Sequence, residues 1–373
     1  MSQKFGIVPT KEMDIIPNMA SSYVGAKIVH QGDLVFNKLK AHLGVFAISN
    51  YDGLVSPDYA VYTPTRMTFL PYLELLLRTQ YYITEFQKKT TGVAIGLTRL
   101  YTSGLFSISA IYPPLSEQQR IVNFLETKTK KIDQYIAEKE KQVQLLEEYK
   151  QTLIANAVTK GLNPNVKMKE YASLIAGEYP ENWQIVRNKS FLSLTGEKVG
   201  DKAKEYQLLS LTTKGVILRD MESGKGKFPK DFDTYQFVQK DNLVFCLFDI
   251  DETPRTVGIV EIEGMITGAY TALKVNKKMA LPQYVYYYYI CVDNIKALKP
   301  YYSGLRKTVR ADKFLQIYLP LPPIDVQHSI VSYIEEKSTK INSLISYLQS
   351  EISYINEYKQ RLIADCVTGQ IKV

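Results

Sequence analysis

The chain has 373 residues, is 45% hydrophobic and 23% charged, and carries a formal charge of +8 at neutral pH, with a pI of about 9.0. That composition is ordinary for a globular chain long enough for two or so cores, and it excludes a low-complexity or fibrous polymer. Three scattered cysteines (Cys246, Cys291, Cys366) and three scattered histidines (His30, His42, His328) give neither a disulfide framework nor a zinc pattern. The N-terminus has no basic stretch leading into an apolar core, so no signal peptide is expected and the chain reads as cytoplasmic. The most apolar run, LPQYVYYYYICV (Leu281 to Val292), falls short of the roughly 20 residues that span a membrane, so no membrane association is expected.

Residues 1–112 mix short alternating apolar runs, which read as strands, with a helical stretch, PYLELLLRTQYYITEFQKK (Pro71 to Lys89). Pro113-Pro114 then stops the chain. An uninterrupted helical pattern follows from Ser116, which with Gln119 has capping-box spacing, to about Lys160, where Gly161 and Pro164 end it. Residues 162–321 repeat the mixed pattern, with strand-like NLVFCLF, TVGIVEIEG and ITGAYTALKV and a helical PQYVYYYYICVDNIKALK (Pro282 to Lys299). Pro322-Pro323 opens a second long helix, with Asp325 at the cap and His328 where Gln119 stood.

The two halves are copies. PPLSEQQRIVNFLETKTKKI (Pro113 to Ile132) and PPIDVQHSIVSYIEEKSTKI (Pro322 to Ile341) align at a shift of 209, and the match runs on through EYKQ-x-LIA (Glu148 to Ala155, Glu357 to Ala364). Roughly 19 of about 50 positions are identical, and GDLVFNKL (Gly32 to Leu39) meets DNLVFCLF (Asp241 to Phe248) at the same shift. No counterpart of roughly 171–209 stands in the first copy, because Met1 falls on Ser210.

Forty-odd residues at 1.5 Å each make each long helix a rod of about 60 Å. A heptad-like apolar stripe runs down the first through Leu125, Ile132, Tyr135, Val143, Leu146, Tyr149 and Leu153. The second repeats it at Ile334, Ile341, Leu344, Ile352, Ile355, Tyr358 and Leu362. Such a stripe needs a partner. Each helix could pack on its own globule, but two copies on one chain can pair antiparallel about a pseudo-twofold axis, and these rods are too long for a small globule to cover. Candidate pairing residues are Leu125, Ile132, Leu146, Leu153, Ile341, Leu344, Ile355 and Leu362. The expected fold is α+β: two mixed α/β globules in tandem (1–112 and 162–321), each followed by a long helix (113–161 and 322–373), the helices forming an antiparallel coiled coil.

The basic excess lies in the globules. Lys plus Arg against Asp plus Glu is 10 to 7 over residues 1–112 and 23 to 18 over 161–324, but 8 to 7 and 4 to 6 over the rods 113–160 and 325–370. Globules that meet the phosphate backbone of a nucleic acid such as double-stranded DNA would be charged this way, while rods that meet protein need no such excess. Candidate contacts are Lys38, Lys40, His42 and Arg99 in the first globule, the last within GVAIGLTRLYTSG (Gly92 to Gly104). In the second they are Arg255, Tyr301, Arg306, Lys307 and Arg310, the last three within SGLRKTVRADK (Ser303 to Lys313). Basic side chains can fork onto phosphates or a guanine edge. No Walker loop, GxGxxG, HExxH or GxSxG is present. YPPL and LPPI lack the rest of an amino-methyltransferase site and read as helix stops. The carboxylates of FDIDETPR (Phe248 to Arg255) could bind a metal, but the first copy has FNKLKAHLG there. Neither a catalytic nor a metal site is expected.

The phrase PPLSEQQRIVNFLETKTKKIDQYIAEKEKQVQLLEEYKQTLIANAVTKGL resembles the conserved helical region of the specificity subunits of type I restriction-modification systems. The second copy resembles their C-terminal conserved region, and GEYPENWQIVRNKSF (Gly177 to Phe191) resembles the opening of a target-recognition domain. The resemblance covers nearly the whole chain. It implies two target-recognition domains reading the halves of a split DNA site, and paired helices acting as a spacer. It further implies docking of two methyltransferase (M) subunits that bind S-adenosylmethionine and methylate adenine, and a separate motor-nuclease (R) subunit. The chain itself would carry no cofactor and no catalysis. One departure stands out: the Pro-x-x-Trp opening occurs only at Trp183, so the first domain is expected to lack an opening, interior strand. A misassigned start, a silent gene kept as a recombination donor and a shortened domain that still folds would each give this pattern. A protein-only coiled-coil scaffold is the alternative of another class.

Overall fold

The computed structural model describes residues 6–12, 24–65, 68–92, 98–171, 177–219, 232 and 234–373. The chain forms two compact units, Met1–Gln142 with Tyr347–Val373, and Val143–Ser346, so each unit joins one globule to a half of each long helix.

In the first unit, β1 (Leu34–Asn37) is the middle of a three-stranded antiparallel sheet between β2 (Phe46–Ile48) and β3 (Tyr59–Tyr62). All four residues of β1 are buried, as a central strand covered on both faces requires. Helices α1 (Leu70–Leu77) and α2 (Gln80–Lys89) pack on the sheet, and Phe36, Phe46 and Phe86 meet in stacked and edge-on contacts. The sequence reads 71–89 as one helix; the chain breaks it at Arg78–Thr79. Thr79 has extended backbone and its hydroxyl donates to the Leu76 carbonyl at 2.8 Å. The Arg78 guanidinium, paired with Glu74, donates to the carbonyls of Gly44 and Phe46, tying the break to the sheet. Long helix α3 (Leu115–Lys160) follows.

In the second unit β4 (Gln184–Arg187) and β5 (Leu192–Leu194) precede β6 (Leu243–Phe245), β7 (Val257–Ile259) and β8 (Thr271–Val275). The antiparallel sheet runs β7-β6-β8-β5. Helix α4 (Pro282–Asn294) packs on it, β9 (Tyr318–Leu321) pairs with β4, and long helix α5 (Ile324–Val367) closes the chain. Strands β6, β7 and β8 repeat β1, β2 and β3. Strand β5 has no counterpart among the described residues of the first unit. It lies at the sheet's edge, so the expectation of a missing interior strand is corrected, and the first unit keeps its central strand and aromatic core buried.

Both long helices start earlier than caps at Ser116 and Asp325 would put them. Pro114 O accepts from the N–H groups of Glu117 and Gln118, and Pro323 O from that of Gln327, so Ser116 and Asp325 lie inside their helices. The glutamine that matters stands one residue before the capping-box position, and it is fully buried in each copy. Gln118 Oε1 accepts from the Phe69 N–H and its Nε2 donates to Pro113 O; Gln327 Oε1 accepts from the Leu281 N–H and its Nε2 donates to Pro322 O and Met279 O. A tyrosine repeats the theme. The Tyr72 hydroxyl reaches the carbonyls of Ile111 (3.2 Å) and Val367 (2.8 Å), and that of Tyr284 reaches Pro320 (3.0 Å) and Val158 (3.1 Å). Each globule is thereby tied to the C-terminal end of the long helix that does not follow it.

The helices pair antiparallel. In the first unit Asp133 faces Lys359 (2.6 Å) and Lys139 faces Glu351 (3.1 Å); in the second Lys150 faces Asn342 (2.8 Å). Leu125, Leu153, Ile341 and Leu362 are buried, and Ile132, Leu146 and Ile355 partly so. Leu344 is not on the seam: it is half-exposed, as are Tyr135, Tyr149 and Tyr358. The second row of the seam stands four residues after the first, not three. It runs through Ile136 and Val143 on α3 and Ile345 and Ile352 on α5, with Leu348 adding to the first row of α5. Lys150 and Lys359 occupy second-row positions too. Each is held by the residue opposite, and burial pushes the Lys150 ammonium below its usual range.

Removing a buried amide that satisfies a backbone N–H and a carbonyl strands both. Gln118→Ala and Gln327→Ala are each expected to cost about 1–3 kcal/mol, read from denaturant midpoints. Burial raises the phenols of Tyr72 and Tyr287 to about 12 and those of Tyr284, Tyr288 and Tyr289 further still. A folded-state pKa above the unfolded value of about 10 gives stability that is complete below that pH and lost as pH rises through the folded value. Unfolding monitored with tyrosinate absorbance is therefore expected to set in between about pH 10 and 12, with ionisation cooperative with unfolding.

Candidate nucleic-acid interface

In the second unit the residues after β6 run into a loop, 247–256, that is stapled to the segment 302–310. Val309 N–H donates to Leu247 O and Asp249 N–H to Arg306 O, both at 2.8 Å. The backbone turns sharply here, with left-handed φ at Asp249 (48°), Gly304 (77°) and Lys307 (43°). The result is a tip on a rigid base. Leu305 is fully exposed at its apex, and the side chains of Arg306 and Arg310 are 70% and 71% exposed.

The charges of this tip are matched pair by pair. Arg306 lies over the Phe248 ring at 4.8 Å and pairs with Asp249 at 2.9 Å. Lys307 sits between Asp251 (3.3 Å) and Glu252 (3.4 Å), and Lys299 approaches Asp251 at 3.5 Å. Burial pushes the Asp251 carboxyl up, but Lys307 and Lys299 more than offset this and hold it below the usual carboxylate range. The same contacts raise the Lys307 ammonium. The clustered carboxylates that suggested a metal are thus turned to the cations of the facing segment. Arg310 pairs with Asp312 at the surface, and Tyr301 is half-buried against the core.

Arg255 is elsewhere. Its guanidinium donates to Asp293 (3.0 Å) and Asn294 (3.1 Å), and Asp293, 3% exposed, also takes Lys296 and the Thr256 N–H. A carboxylate that deeply buried requires its cations, so Arg255 belongs to the scaffold and not to the DNA candidates.

The first unit builds the same corner. Leu100 N–H donates to Lys38 O at 2.9 Å, the counterpart of the Val309–Leu247 bond. Thr91 and Arg99 bridge as Ser303 and Thr308 do, so Arg99 stands where Thr308 is, not at the place of Arg306 or Arg310. It pairs with Asp58 at 3.1 Å and remains about 40% exposed. Lys40 is exposed beside the short turn Ala41–Leu43. His42 is half-buried, and its Nδ1 has no hydrogen-bond partner among the described residues. Residues 93–97 of GVAIGLTRLYTSG lie outside the described residues. Sequence reasoning missed Leu305, Phe248 and Lys299; the GLRK turn following two tyrosines was the available signal for the first.

Comparison with known proteins supplies the context. Residues 7–145 match the family model of the type I restriction modification DNA specificity domain. The chain is 23% identical over 280 residues to the type I restriction enzyme EcoBI specificity subunit of Escherichia coli, covering 69% of this chain and 57% of that protein. It is 22% identical over 313 residues to the MjaVIII specificity subunit of Methanocaldococcus jannaschii, covering 77% and 67%. In fold it is similar to the HsdS subunit of Thermoanaerobacter tengcongensis (TM-score 0.50, 16% identity, 95% and 84% covered). It is also similar to a chain from a study of complex assembly and conformational transition of the type I restriction-modification system (TM-score 0.68, 14% identity, 96% and 89% covered). Residues 7–145 thus match a DNA specificity domain, and over most of its length the chain is similar to type I restriction enzyme specificity subunits, of whose first it spans little more than half. Among the described residues no helix is long and apolar enough to cross a membrane.

Arg306→Ala and Arg310→Ala are expected to weaken DNA binding while leaving the unfolding midpoint unchanged, and each lost phosphate contact should lower the log–log salt slope by about 0.9. Arg255→Ala is expected to do the reverse, costing on the order of 1–3 kcal/mol of stability in thermal or denaturant unfolding.

Proposed function

We propose that the chain reads a split DNA site for a type I restriction-modification complex. Residues 1–112 and 162–321 act as its two target-recognition domains, and the helices 113–161 and 322–373 act as the spacer. The observation that carries this is the doubled corner. The same strand-to-loop staple, Leu100–Lys38 and Val309–Leu247, recurs in each globule, and within each unit the long helices pair antiparallel. Two weak half-site readings on one chain become one tight event, because the second is intramolecular.

The reading extends to partners. The exposed flanks of α3 and α5 are the surfaces on which two methyltransferase subunits would dock, those subunits binding S-adenosylmethionine, with motor-nuclease subunits joining the complex. The chain contributes recognition and geometry, and the partners contribute the chemistry. The setting is the cytoplasm, where DNA and partner subunits are met.

Lengthening the spacer tests it. Seven residues inserted after Gln142 and seven after Gln349 preserve the heptad seam and add about 10 Å, close to the rise of three base pairs. Selection from random duplexes is expected to show the wild-type gap disfavoured, with either a gap longer by about three base pairs or loss of joint recognition. Selection of the wild-type gap by the lengthened chain would contradict the spacer role.

A further inference from the structure

Leu305 is fully exposed at the apex of the turn 304–307. The turn closes between Ser303 and Thr308, whose backbones exchange both hydrogen bonds, at 3.0 and 3.1 Å. Within it the Lys307 N–H donates to Gly304 O at 3.1 Å, and the Thr308 hydroxyl donates to Arg306 O. Arg306 O also accepts from the Asp249 N–H, so the turn is fastened to the loop 247–256 beside its apex as well as at its base, where Val309 meets Leu247. That loop is itself held. Thr253 donates its N–H and its hydroxyl to Asp249 O, both at 2.9 Å, and the Lys296 ammonium donates to Thr253 O at 2.7 Å. Gly304 and Lys307 are both left-handed, and a lysine keeps such backbone where surrounding bonds over-determine it. An aliphatic side chain is thus held out in water by a backbone with little freedom to fold it back, although its burial would be favourable.

The neighbours of the apex indicate what could bury it. Arg306, next in the chain, lies over the Phe248 ring at 4.8 Å, and the Tyr270 ring stacks on Phe248 at 6.1 Å, 10° from parallel. Asp249 and Glu252, with side chains 37% and 76% exposed, stand against Arg306 and Lys307. One small surface therefore offers an apolar group, hydrogen-bond donors and hydrogen-bond acceptors together. The major-groove edge of DNA displays the complement of all three: the acceptors of the purines, the amine donors of adenine and cytosine, and the thymine methyl, its one apolar group. The minor groove has no methyl, and its single base donor is the guanine amine, so a tip with an aliphatic apex and carboxylates suits it poorly.

We propose that Leu305 is a specificity-determining residue that packs on the C5-methyl group of one thymine in the major groove, an inference that rests on the DNA-reading role and names one residue, one groove and one base for it. The thymine lies in the half-site read by the second globule. Discrimination comes from burying the leucine against a methyl that the other three bases lack. A purine or a cytosine at that place would set a polar edge against Leu305 and leave a donor or acceptor unpaired.

The test uses the full chain and the duplex motif returned by selection from random sequence. Each thymine of the motif is replaced in turn by uracil, which removes the methyl and keeps every hydrogen-bonding group. Affinity is measured by competition for the wild type, Leu305→Ala and Leu305→Met. At one thymine, uracil is expected to weaken wild-type binding about four-fold, the effect of one buried methyl group. Leu305→Ala should bind the thymine and uracil duplexes equally, and Leu305→Met should keep most of the discrimination. Leu305→Ala should leave the unfolding midpoint and the salt slope unchanged, because it removes neither a packed side chain nor a phosphate contact. Uracil duplexes that all bind as tightly as the parent, or a uracil effect that persists in Leu305→Ala, would overturn the methyl contact and leave the DNA-reading role standing. So would a wedge: Leu305→Ala weakening every duplex alike, with loss of the 2-aminopurine fluorescence that marks an unstacked base step. A selection that returns no motif would overturn the DNA-reading role and this contact with it.

Discussion

The two long helices must bury one stripe each, against one another along the seam and, towards their ends, also against a globule. That constraint organises the molecule. Within the seam the charged positions answer one another by symmetry: Lys150 meets Asn342, and Lys359 meets Asp133, each partner displaced by the same 209 residues. The pair Lys139–Glu351 breaks that symmetry, because the duplicated positions hold Leu348 and Gln142. A polar residue at a seam position costs stability wherever it is misaligned, so these contacts select one register of the antiparallel pair. The globules depend on the same helices, since Tyr72 and Tyr284 hold each globule to a helix end through a buried hydroxyl. An altered helix register would move those anchor points with it.

Most of the architecture was legible in the sequence because duplication writes everything twice. The long helices, their Pro-Pro starts and the mixed globules all follow from the repeat and from local pattern. The second row of the seam was legible only at Val143 and Ile352, in part because two of its places hold Lys150 and Lys359, which a search for apolar residues passes over. It settled instead on tyrosines and Leu344 one residue away. The helix break at Arg78–Thr79 was hidden because nothing in YLELLLRTQYYITEF forbids a helix there; it depends on two carbonyls of the sheet that only the folded chain supplies. Gln118 and Gln327 were overlooked for a similar reason, as a glutamine near a helix start reads first as a cap.

The candidate interface was legible as a cluster but not as individuals. Sequence separates Arg255 from Arg306 by nothing except neighbours, yet one neutralises a buried carboxylate and the other stands at an exposed tip. The modest net charge has a local cause here. Asp249, Asp251 and Glu252 lie against Arg306, Lys307 and Lys299, so the tip is nearly neutral, and on the proposed reading its cations exchange carboxylates for phosphates on binding. Such a surface disfavours indiscriminate electrostatic binding, and the same carboxylates can accept from a cytosine amine when the sequence suits. A recognition protein benefits more from this than from a uniformly basic face.

The measurement that bears most directly on the whole account is a map of adenine methylation. The chain would be expressed with the proposed methyltransferase partner in a host free of that modification, and modified adenines located by single-molecule sequencing. The account predicts one bipartite motif with a fixed gap, both halves being required. Methylation following a single uninterrupted half-site, or a motif whose gap varies, would contradict the claim that two globules read DNA together across a fixed helical spacer.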